Sequence, residues 1–282
     1  MSLDERLPET IREEVRRALA EDVGDGDLTA ALIPAGAIAS ATVICREPGI
    51  LCGSAWFDEV FWQLEGEVEV FWNRREGDPI ASGETLCTLQ GHARTLLTGE
   101  RTALNFLQTL SGTATLASLY ARAVEGTGCR VLDTRKTLPG LRLAQKHAVR
   151  TGGCHNHRIG LFDAILIKEN HITACGGIAP AVERARASGG AVMIEVEVEN
   201  LQELRQAIDA HADRILLDNF DLDTLREAVT LTAGRIPLEA SGNVSLENIR
   251  AVAETGVDFV SVGGLTKHLR ALDLSMRILP GC

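Results

Sequence analysis

Short apolar segments separated by turn residues characterise the chain up to about residue 110. The patterns over Ala41–Arg46, Val68–Trp72 and Thr85–Gln90 predict three strands. The segment Ala93–Leu110 follows, and its apolar residues recur at a helical spacing, which predicts a helix. This part of the chain therefore indicates a mixed sheet with helices.

A different sequence pattern begins near residue 129, where apolar runs rich in Val, Ile and Leu alternate with helix-like stretches. This alternation predicts βα units around a parallel sheet. The predicted strands are Val131–Leu132, Ala164–Ile167, Ala191–Val198, Ile215–Leu217, Ile236–Leu238 and Phe259–Val262. Polar groups follow the strands at regular intervals, which is typical of a (β/α) barrel with its active site at the carboxyl ends of its strands. A complete (β/α) barrel has eight such units and the pattern shows only six. Either two strands escape recognition or the barrel is incomplete.

Composition limits the classes of protein that fit. The chain has 282 residues, 45% of them hydrophobic, yet no apolar run reaches the roughly 18 residues of a membrane span. The segment 1–20 reads as a charged amphipathic helix and not as a signal peptide. The seven cysteines include no CxxC pair, so we expect reduced thiols and a cytoplasmic location.

The net charge of -11 argues against nucleic-acid binding through a broad basic surface. Basic residues nevertheless concentrate between Arg94 and Lys168, where eleven Lys and Arg accompany only four Asp and Glu. Such a segment in an acidic protein fits a local site for a small anion, and it equally fits a solvated basic helix face. Composition does not decide between these two interpretations.

Five cationic residues follow three of the predicted strands: Arg135, Lys136, His157, Arg158 and Lys168. Arginine side chains bind carboxylates and phosphates through two parallel hydrogen bonds, so a convergence of these residues predicts an anion site. Lys168 could instead form a Schiff base, as in barrel aldolases. Its cationic companions suit a dianion better than a neutral carbonyl.

Glu197 and Asp218 end adjacent predicted strands. Their carboxylates suit Mg²⁺ beside a phosphate substrate, and general acid–base catalysis is the rival use. Glu195 and Glu199 share a strand face with Glu197 by the period of two, so the pattern alone does not single out Glu197.

Two glycine-containing motifs follow the last two predicted strands. They are Ala-Ser-Gly-Asn at 240–243 and Val-Gly-Gly at 262–264. Backbone N–H groups at such positions bind phosphate in many barrels. Glycine is also a common turn residue, and it is the placement of both motifs on the last two strands that predicts a phosphate site.

Eight segments together resemble quinolinate phosphoribosyltransferase, and they follow in order from about residue 20 to 265. They are EDVGDGDLT (21–29), GERTALNFLQTLSG (99–112), DTRKT (133–137), GGCHNHR (152–158), IKENH (167–171), EVEVEN (195–200), LLDNF (216–220) and EASGN (239–243). Cys154 stands where the family usually has a third glycine. A small residue fits there, and we expect little effect.

The resemblance implies an α/β fold with an N-terminal α/β open sandwich domain over residues 1–110 and an incomplete seven-stranded (β/α) barrel over 111–268. The tail 269–282 would pack back onto the first domain, and the chain would form a homodimer or a multiple of it. The implied reaction joins quinolinate and phosphoribosyl pyrophosphate with Mg²⁺. It gives nicotinate mononucleotide, CO₂ and pyrophosphate for NAD biosynthesis, without a nucleic-acid or membrane partner.

The resemblance also implies a role for each candidate residue. The two carboxylates would be held by Arg135, His157, Arg158 and Lys168, with Lys136 near the reacting edge of the ring. Arg101 would enter from the neighbouring subunit, while Glu197 and Asp218 would face the ribose and hold the metal. The phosphoribosyl donor would contact Thr137, Ser241, Gly242, Asn243, Val262, Gly263 and Gly264.

Two other functions stay open at the level of sequence. A paralogous transferase could act on another aromatic acid such as nicotinate, although the full set of cations favours a dicarboxylate. A catalytically silent binding protein would be expected to lack acids or cations at the strand ends, and none is missing.

Overall fold

The computed structural model describes residues 3–65, 67–188, 190 and 192–279. These residues form two compact units. The first contains the chain up to residue 118, residues 137–153 and the chain from residue 268, and the second contains residues 119–136 and 154–267. The predicted domains covered residues 1–110 and 111–268. The first unit extends further, to residue 118, because one helix continues through residue 110, and it also includes the segment 137–153.

The first unit is built on an antiparallel sheet with helices. Its elements are α1 (Leu3–Val23), a 3₁₀ turn (Ala30–Leu32), β1 (Ile38–Cys45), β2 (Gly49–Ile50), α2 (Ser54–Gln63), β3 (Glu69–Trp72), β4 (Pro79–Ile80), β5 (Thr85–His92), α3 (Ala93–Ala123), α4 (Arg142–Thr151) and β12 (Leu274–Ile278). The four-stranded sheet has the order β12-β1-β5-β3, and β2 pairs with β4. The three predicted strands of this part are therefore present, and the C-terminal strand β12 pairs antiparallel with β1.

Helix α3 is 31 residues long and extends beyond the predicted end at Leu110. The residues that continue it include the fully buried Ala114 and Ala117. A side chain at Gly112 would overlap the backbone carbonyl of Arg270, so glycine permits the close approach of the C-terminal tail. The sequence pattern predicted only the half of the helix that carries large apolar residues.

Helix α4 belongs to the first unit because it packs against α1. Arg150 of α4 forms an ion pair with Asp4 of α1, with the Nη1 and Oδ1 atoms 3.0 Å apart. The segment follows the DTRKT motif in the chain, and its spacing alone did not reveal this packing.

The second unit is a parallel sheet with helices. Its strands are β6 (Arg130–Leu132), β7 (Ile165–Ile167), β8 (Ile194–Val198), β9 (Arg214–Asp218), β10 (Leu238–Ser241) and β11 (Phe259–Ser261). Its helices are α5 (Glu169–Cys175), α6 (Ile178–Ala187), α7 (Leu201–Asp209), α8 (Leu222–Thr232), α9 (Ile249–Ala253) and α10 (Gly264–Lys267). The strand order is β6-β11-β10-β9-β8-β7, which gives the barrel-like α/β architecture expected.

Six strands make up this sheet in the described part of the chain, so the seven strands implied by the resemblance are not found there. The count agrees with the six apolar runs of the sequence. Strand β10 begins at Leu238 and not at Ile236, because Pro237 has no amide hydrogen to donate to a neighbouring strand. Ala191, predicted to begin a strand, lies outside the described residues.

Buried aliphatic residues of the parallel strands form the core of the second unit, among them Val196, Ile215 and Val260. No helix in the described residues is long and apolar enough to cross a membrane. Six cysteines are described, all as free thiols, while Cys282 lies outside the described part.

Candidate active site

A cavity of about 330 Å³ lies in the second unit at the carboxyl ends of the parallel strands. All five predicted cations line it, namely Arg135, Lys136, His157, Arg158 and Lys168. Glu197 and Ser241 line it as well. The structure therefore brings together residues that are separated by more than one hundred positions in the chain.

The register of the strands explains this convergence. Glu197 pairs with Leu216, and two residues further along the same face Asp218 pairs with Ser241. Because alternate residues of a strand point to the same side of a sheet, Glu197, Asp218 and Ser241 share one face. The face that carries these three residues also carries Glu195, Arg214 and Glu239 earlier along the same strands.

Lys168 and Glu197 form an ion pair between their Nζ and Oε2 atoms. The Lys168 side chain is 46% exposed and that of Glu197 is 15% exposed. One cation of the cavity is therefore paired with a carboxylate of the protein itself.

The turn that carries His157 and Arg158 is held by Asp133. The Oδ1 atom of Asp133 accepts the backbone N–H of His157 at 2.9 Å, and its Oδ2 atom accepts the side-chain amide of Asn156 at 2.6 Å. Asp133 is fully buried at the end of β6. The DTRKT and CHNHR motifs are therefore joined physically, and this link positions the Arg158 side chain at the cavity.

His157 is largely buried, and both of its ring nitrogens have protein partners. Nε2 lies 2.7 Å from Oε2 of Glu195, and Nδ1 accepts the backbone N–H of Arg158 at 2.7 Å. This arrangement places the ring hydrogen on Nε2, from which it is donated to Glu195. His157 lines the cavity, but in this arrangement it offers no ring nitrogen to a ligand.

Arg135 and Arg158 are close enough to repel each other. Burial, followed by the positive charge of Arg135, lowers the pKa of Arg158. The guanidinium of Arg158 also donates to the carbonyl of Ala164 at 3.1 Å. An anion between two such cations relieves their repulsion, which is the electrostatic character of a carboxylate or phosphate site.

Buried charges below the cavity were not recognised as site residues from the sequence. Glu239 lines the cavity and is fully buried, and its Oε2 atom lies 3.1 Å from Nη1 of Arg214. The guanidinium of Arg214 lies 4.2 Å from the centre of the Phe259 ring. Burial, and then the charge of Glu195, raise the pKa of Glu239 to about 7. The sequence did contain a signal for Glu239, because it lies two residues before the predicted site residue Ser241 and therefore on the same strand face.

The glycine motifs are shaped by close contacts. Gly242 has a φ of +101°, and a side chain there would overlap the amide oxygen of Asn219. That same Asn219 donates from Nδ2 to Asp218 at 2.8 Å. At Gly263 a Cβ atom would lie 3.1 Å from Cδ of Lys136. Glycine at both positions thus lets the backbone approach Asn219, next to the predicted Asp218, and the predicted Lys136.

Several predicted contacts are not among the residues that line this cavity. Asn243 (φ +50°) accepts the Asn248 amide through its carbonyl oxygen at 3.0 Å, and Gly264 begins α10. Val262 is buried, and its amide donates to the carbonyl of Leu132 at 2.9 Å. The amide of Val262 is therefore used by the sheet, and a contact of Val262 with the phosphoribosyl donor stays a prediction.

Two predicted residues belong to the first unit. Thr137 lines a cleft there, and its hydroxyl accepts Nε of Arg142 at 3.2 Å. Arg101 is exposed on α3.

Oxygen donors suited to a divalent cation surround Glu197. A small hollow of about 110 Å³ is lined by Glu169, Glu197, Glu199 and Glu203 among others. The charge of Glu169, followed by burial and further acidic neighbours that include Asp218, raises the pKa of Glu199. Such mutual repulsion is relieved by a cation, and an oxygen-only donor set fits Mg²⁺.

Two other groups of potential ligands occur in the described residues: Cys52, Glu76 and His147, and His157, Glu195 and Glu239. The second contains Glu239, which is already paired with the Arg214 cation. That positive charge opposes a metal ion there.

A parallel α/β sheet that gathers cations, carboxylates and a glycine turn at its strand ends defines an enzyme that acts on small anionic molecules. Comparison with known families identifies which one. The model of the quinolinate phosphoribosyl transferase N-terminal domain matches residues 27–111, and that of the C-terminal domain matches residues 113–277. The chain belongs to the quinolinate phosphoribosyltransferase family.

Characterised and solved relatives are similar over nearly the whole chain. The probable nicotinate-nucleotide pyrophosphorylase [carboxylating] of Bacillus subtilis (strain 168) is 44% identical over 92% of this chain and 90% of its own length. The corresponding Mycobacterium leprae (strain TN) protein is 43% identical, with 94% and 96% covered. The structure of the nicotinate-nucleotide pyrophosphorylase from Francisella tularensis is 45% identical, with a TM-score of 0.92 and 99% and 98% covered. Human nicotinic acid phosphoribosyltransferase, at 14% identity and a TM-score of 0.63, shares the fold alone.

Proposed function

We propose that this protein transfers the phosphoribosyl group of phosphoribosyl pyrophosphate to quinolinate with loss of CO₂. The products are nicotinate mononucleotide, CO₂ and pyrophosphate, and the reaction belongs to de novo NAD biosynthesis. The observation that carries the proposal is the cavity at the strand ends, where Arg135, Arg158 and Lys168 lie beside Glu197 and Ser241. Its relatives carry the name nicotinate-nucleotide pyrophosphorylase [carboxylating], which describes this reaction.

The charge of the cavity selects a dicarboxylate. Two guanidinium groups that repel each other favour a ligand with more than one negative charge. In this proposal Arg135, Arg158 and Lys168 hold the two carboxylates of quinolinate, and Lys168 exchanges Glu197 for a substrate carboxylate. His157 contributes by fixing the turn from which Arg158 projects.

The acidic side of the cavity faces the sugar. As pyrophosphate departs, positive charge develops on the ribose, and the carboxylates of Glu197 and Asp218 stabilise it. The ring nitrogen of quinolinate then bonds to the sugar carbon. The resulting cationic ring accepts the electron pair left by CO₂, with Lys136 near the reacting edge, and Ser241 and the Gly242 turn hold the 5-phosphate.

Mg²⁺ is the proposed metal, held by Glu197 and Asp218 with the neighbouring acids in support. When bound, it would neutralise the charge of the pyrophosphate leaving group. The mutual repulsion of the acids around Glu199 supports this proposal.

Arg101 is proposed to reach the active site of a second copy in a two-fold homodimer. The exposure of its side chain on α3 is compatible with this role. A cytoplasmic location is proposed from the six free cysteines, which suit a reducing compartment.

The proposed function is tested by incubating the purified protein with phosphoribosyl pyrophosphate, Mg²⁺ and either quinolinate or nicotinate, and following nucleotide and CO₂. We expect turnover of quinolinate and discrimination against nicotinate of at least about a hundredfold, because an unpaired buried charge costs about 3 kcal/mol. Comparable turnover of both acids would favour the paralogous transferase. No turnover of either, with quinolinate bound, would favour a silent binding protein.

A further inference from the structure

Two fully buried carboxylates approach the same ring nitrogen of one imidazole at the wall of the cavity. Glu195 projects from β8 and Glu239 from β10, and each residue has an exposure of 0%. The Nε2 atom of His157 lies 2.7 Å from Oε2 of Glu195 and 3.7 Å from Oε2 of Glu239. Two carboxylates this close in a dry environment do not readily both ionise, since like charges repel and no solvent stabilises them.

The two carboxyl groups have similar hydrogen-bond environments. Glu195 accepts the Nε2 hydrogen of His157, and Oε2 of Glu239 lies 3.1 Å from Nη1 of Arg214. The Oε1 atom of each group is buried without a hydrogen-bond partner, so a proton held by one of the two stabilises the pair. Burial, and then the charge of Glu195, raise the pKa of Glu239 to about 7, which favours Glu239 as the protonated member.

Glu239, unlike Glu195, is among the residues that line the cavity together with Arg135, Lys136, Arg158 and Lys168. A dianion bound there adds negative charge close to Glu239 and excludes water, and both effects favour its protonated form. The other charged groups around Glu239 are His157, Glu195 and Arg214, while Ser261 and Phe259 come from the adjacent strand β11.

Resting on the proposed function, we propose that Glu239 is a further catalytic residue. It takes up a proton as quinolinate binds, and it gives this proton to the ring carbon from which CO₂ leaves. The bond between the ring carbon and the carboxylate breaks, and its electron pair stays on the carbon. As CO₂ leaves, the O–H bond of Glu239 breaks and a C–H bond forms, and the Glu239 carboxylate takes up its next proton from solvent when quinolinate binds again.

Other groups that line the cavity are less suited to this step. In the proposed complex Lys168 holds a substrate carboxylate, and the Nε2 hydrogen of His157 is donated to Glu195. Lys136 is the remaining rival donor, and the variants below separate it from Glu239.

The first test measures proton uptake by calorimetric titration of the protein with quinolinate in buffers of different ionisation enthalpy. Between about pH 7 and 8 we expect uptake of up to about one proton per site, falling toward zero near pH 5, where Glu239 is already protonated. The variant Glu239→Gln should lose this uptake. Glu14→Gln should keep it, because Glu14 also has a pKa raised to about 7, mainly by burial, but does not line this cavity. No uptake by the wild type, or equal uptake by Glu239→Gln, would overturn the proposal.

The second test separates the two chemical steps in a single turnover. With Glu239→Gln, pyrophosphate release should stay within a few-fold of wild type, while CO₂ release slows on the order of a hundredfold and a dicarboxylate nucleotide accumulates. Equal slowing of both steps would show a structural role. Unchanged CO₂ release would leave Lys136 or water as the donor, and either result would overturn the proposal.

A measurement on the wild type covers the case in which Glu239→Gln does not fold. In protein labelled with carbon-13 glutamate, quinolinate should increase the infrared band of a protonated glutamic acid. Absence of this increase would contradict the proposal. If the wild type produced no nucleotide from quinolinate, the proposed function itself would fail, and proton uptake on binding would still be measurable separately.

Discussion

Lys168 and Glu197 form an ion pair across the adjacent parallel strands β7 and β8, at the wall of the cavity that holds the other predicted cations. One cation of the cavity is thus paired with a carboxylate of the same site, and the pair links the acidic and basic residues of the cavity. In the proposed reaction a substrate carboxylate takes the place of Glu197.

The variant Glu197→Gln should bind quinolinate more tightly and turn it over more slowly. The amide releases the Lys168 ammonium for the substrate, and because this pair is partly exposed its loss is worth at most about 1 kcal/mol, or about fivefold in Kd. Turnover falls because one carboxylate no longer stabilises the sugar cation. Calorimetry and a steady-state assay measure the two effects.

Asp218→Asn is the matched control for this variant. The carboxylate of Asp218 accepts a hydrogen bond from Asn219 and no ion pair with a cavity cation is described for it. Quinolinate affinity should therefore stay unchanged while turnover falls. Weaker quinolinate binding in Glu197→Gln would show that its carboxylate does not compete with the substrate.

Arg158→Ala should weaken quinolinate binding by about 2–3 kcal/mol, since a charge-assisted partner of a carboxylate is lost. Affinity for phosphoribosyl pyrophosphate should change far less. Calorimetry with each ligand checks this, and Arg226→Ala serves as control because Arg226 forms an exposed pair with Asp223 on α8. Equal losses for both ligands would mean that Arg158 is misassigned.

Arg101→Ala and Lys136→Ala should each be nearly inactive as homodimers, and mixing them should restore activity. In a two-fold dimer with shared sites, a heterodimer carries both defects in one site and none in the other. Random exchange then yields up to about a quarter of wild-type activity. If mass spectrometry shows exchange and no activity returns, Arg101 acts within its own chain.

The free energy of unfolding should fall as the pH rises through about 7, partly because of Glu14. Its carboxyl group accepts Nε1 of the buried Trp56 at 2.7 Å, and burial raises its pKa to about 7. A carboxyl group with a raised folded-state pKa stabilises the fold below its unfolded pKa of 4.5, and this stability is lost as the pH rises through the folded value.

Glu14→Gln should remove about 2 kcal/mol of that pH dependence between about pH 5 and 8. Denaturant titrations at several pH values measure it. Glu13→Gln, one residue away and exposed, has its carboxyl pKa lowered by Arg16 and should not remove it. An identical pH dependence in Glu14→Gln and wild type would contradict the assignment.

The local pattern of apolar residues was sufficient to predict most strands of the second unit. The period of the apolar runs located β6, β7, β8, β9 and β11. Short buried strands between amphipathic helices are a local property, and each one can be recognised from its own residues. The full length of α3 was missed because its later turns bury small residues such as Ala114.

The sequence by itself determined the family, the six parallel strands and the identity of the cations and carboxylates at their ends, because these follow from local periodicity and short motifs. Only the tertiary structure decided how those groups pair. It placed Lys168 on Glu197, His157 between Glu195 and Glu239, and the amide of Val262 in the sheet. Such pairings depend on the register between strands distant in the chain, and a shift of one residue turns every side chain to the opposite face.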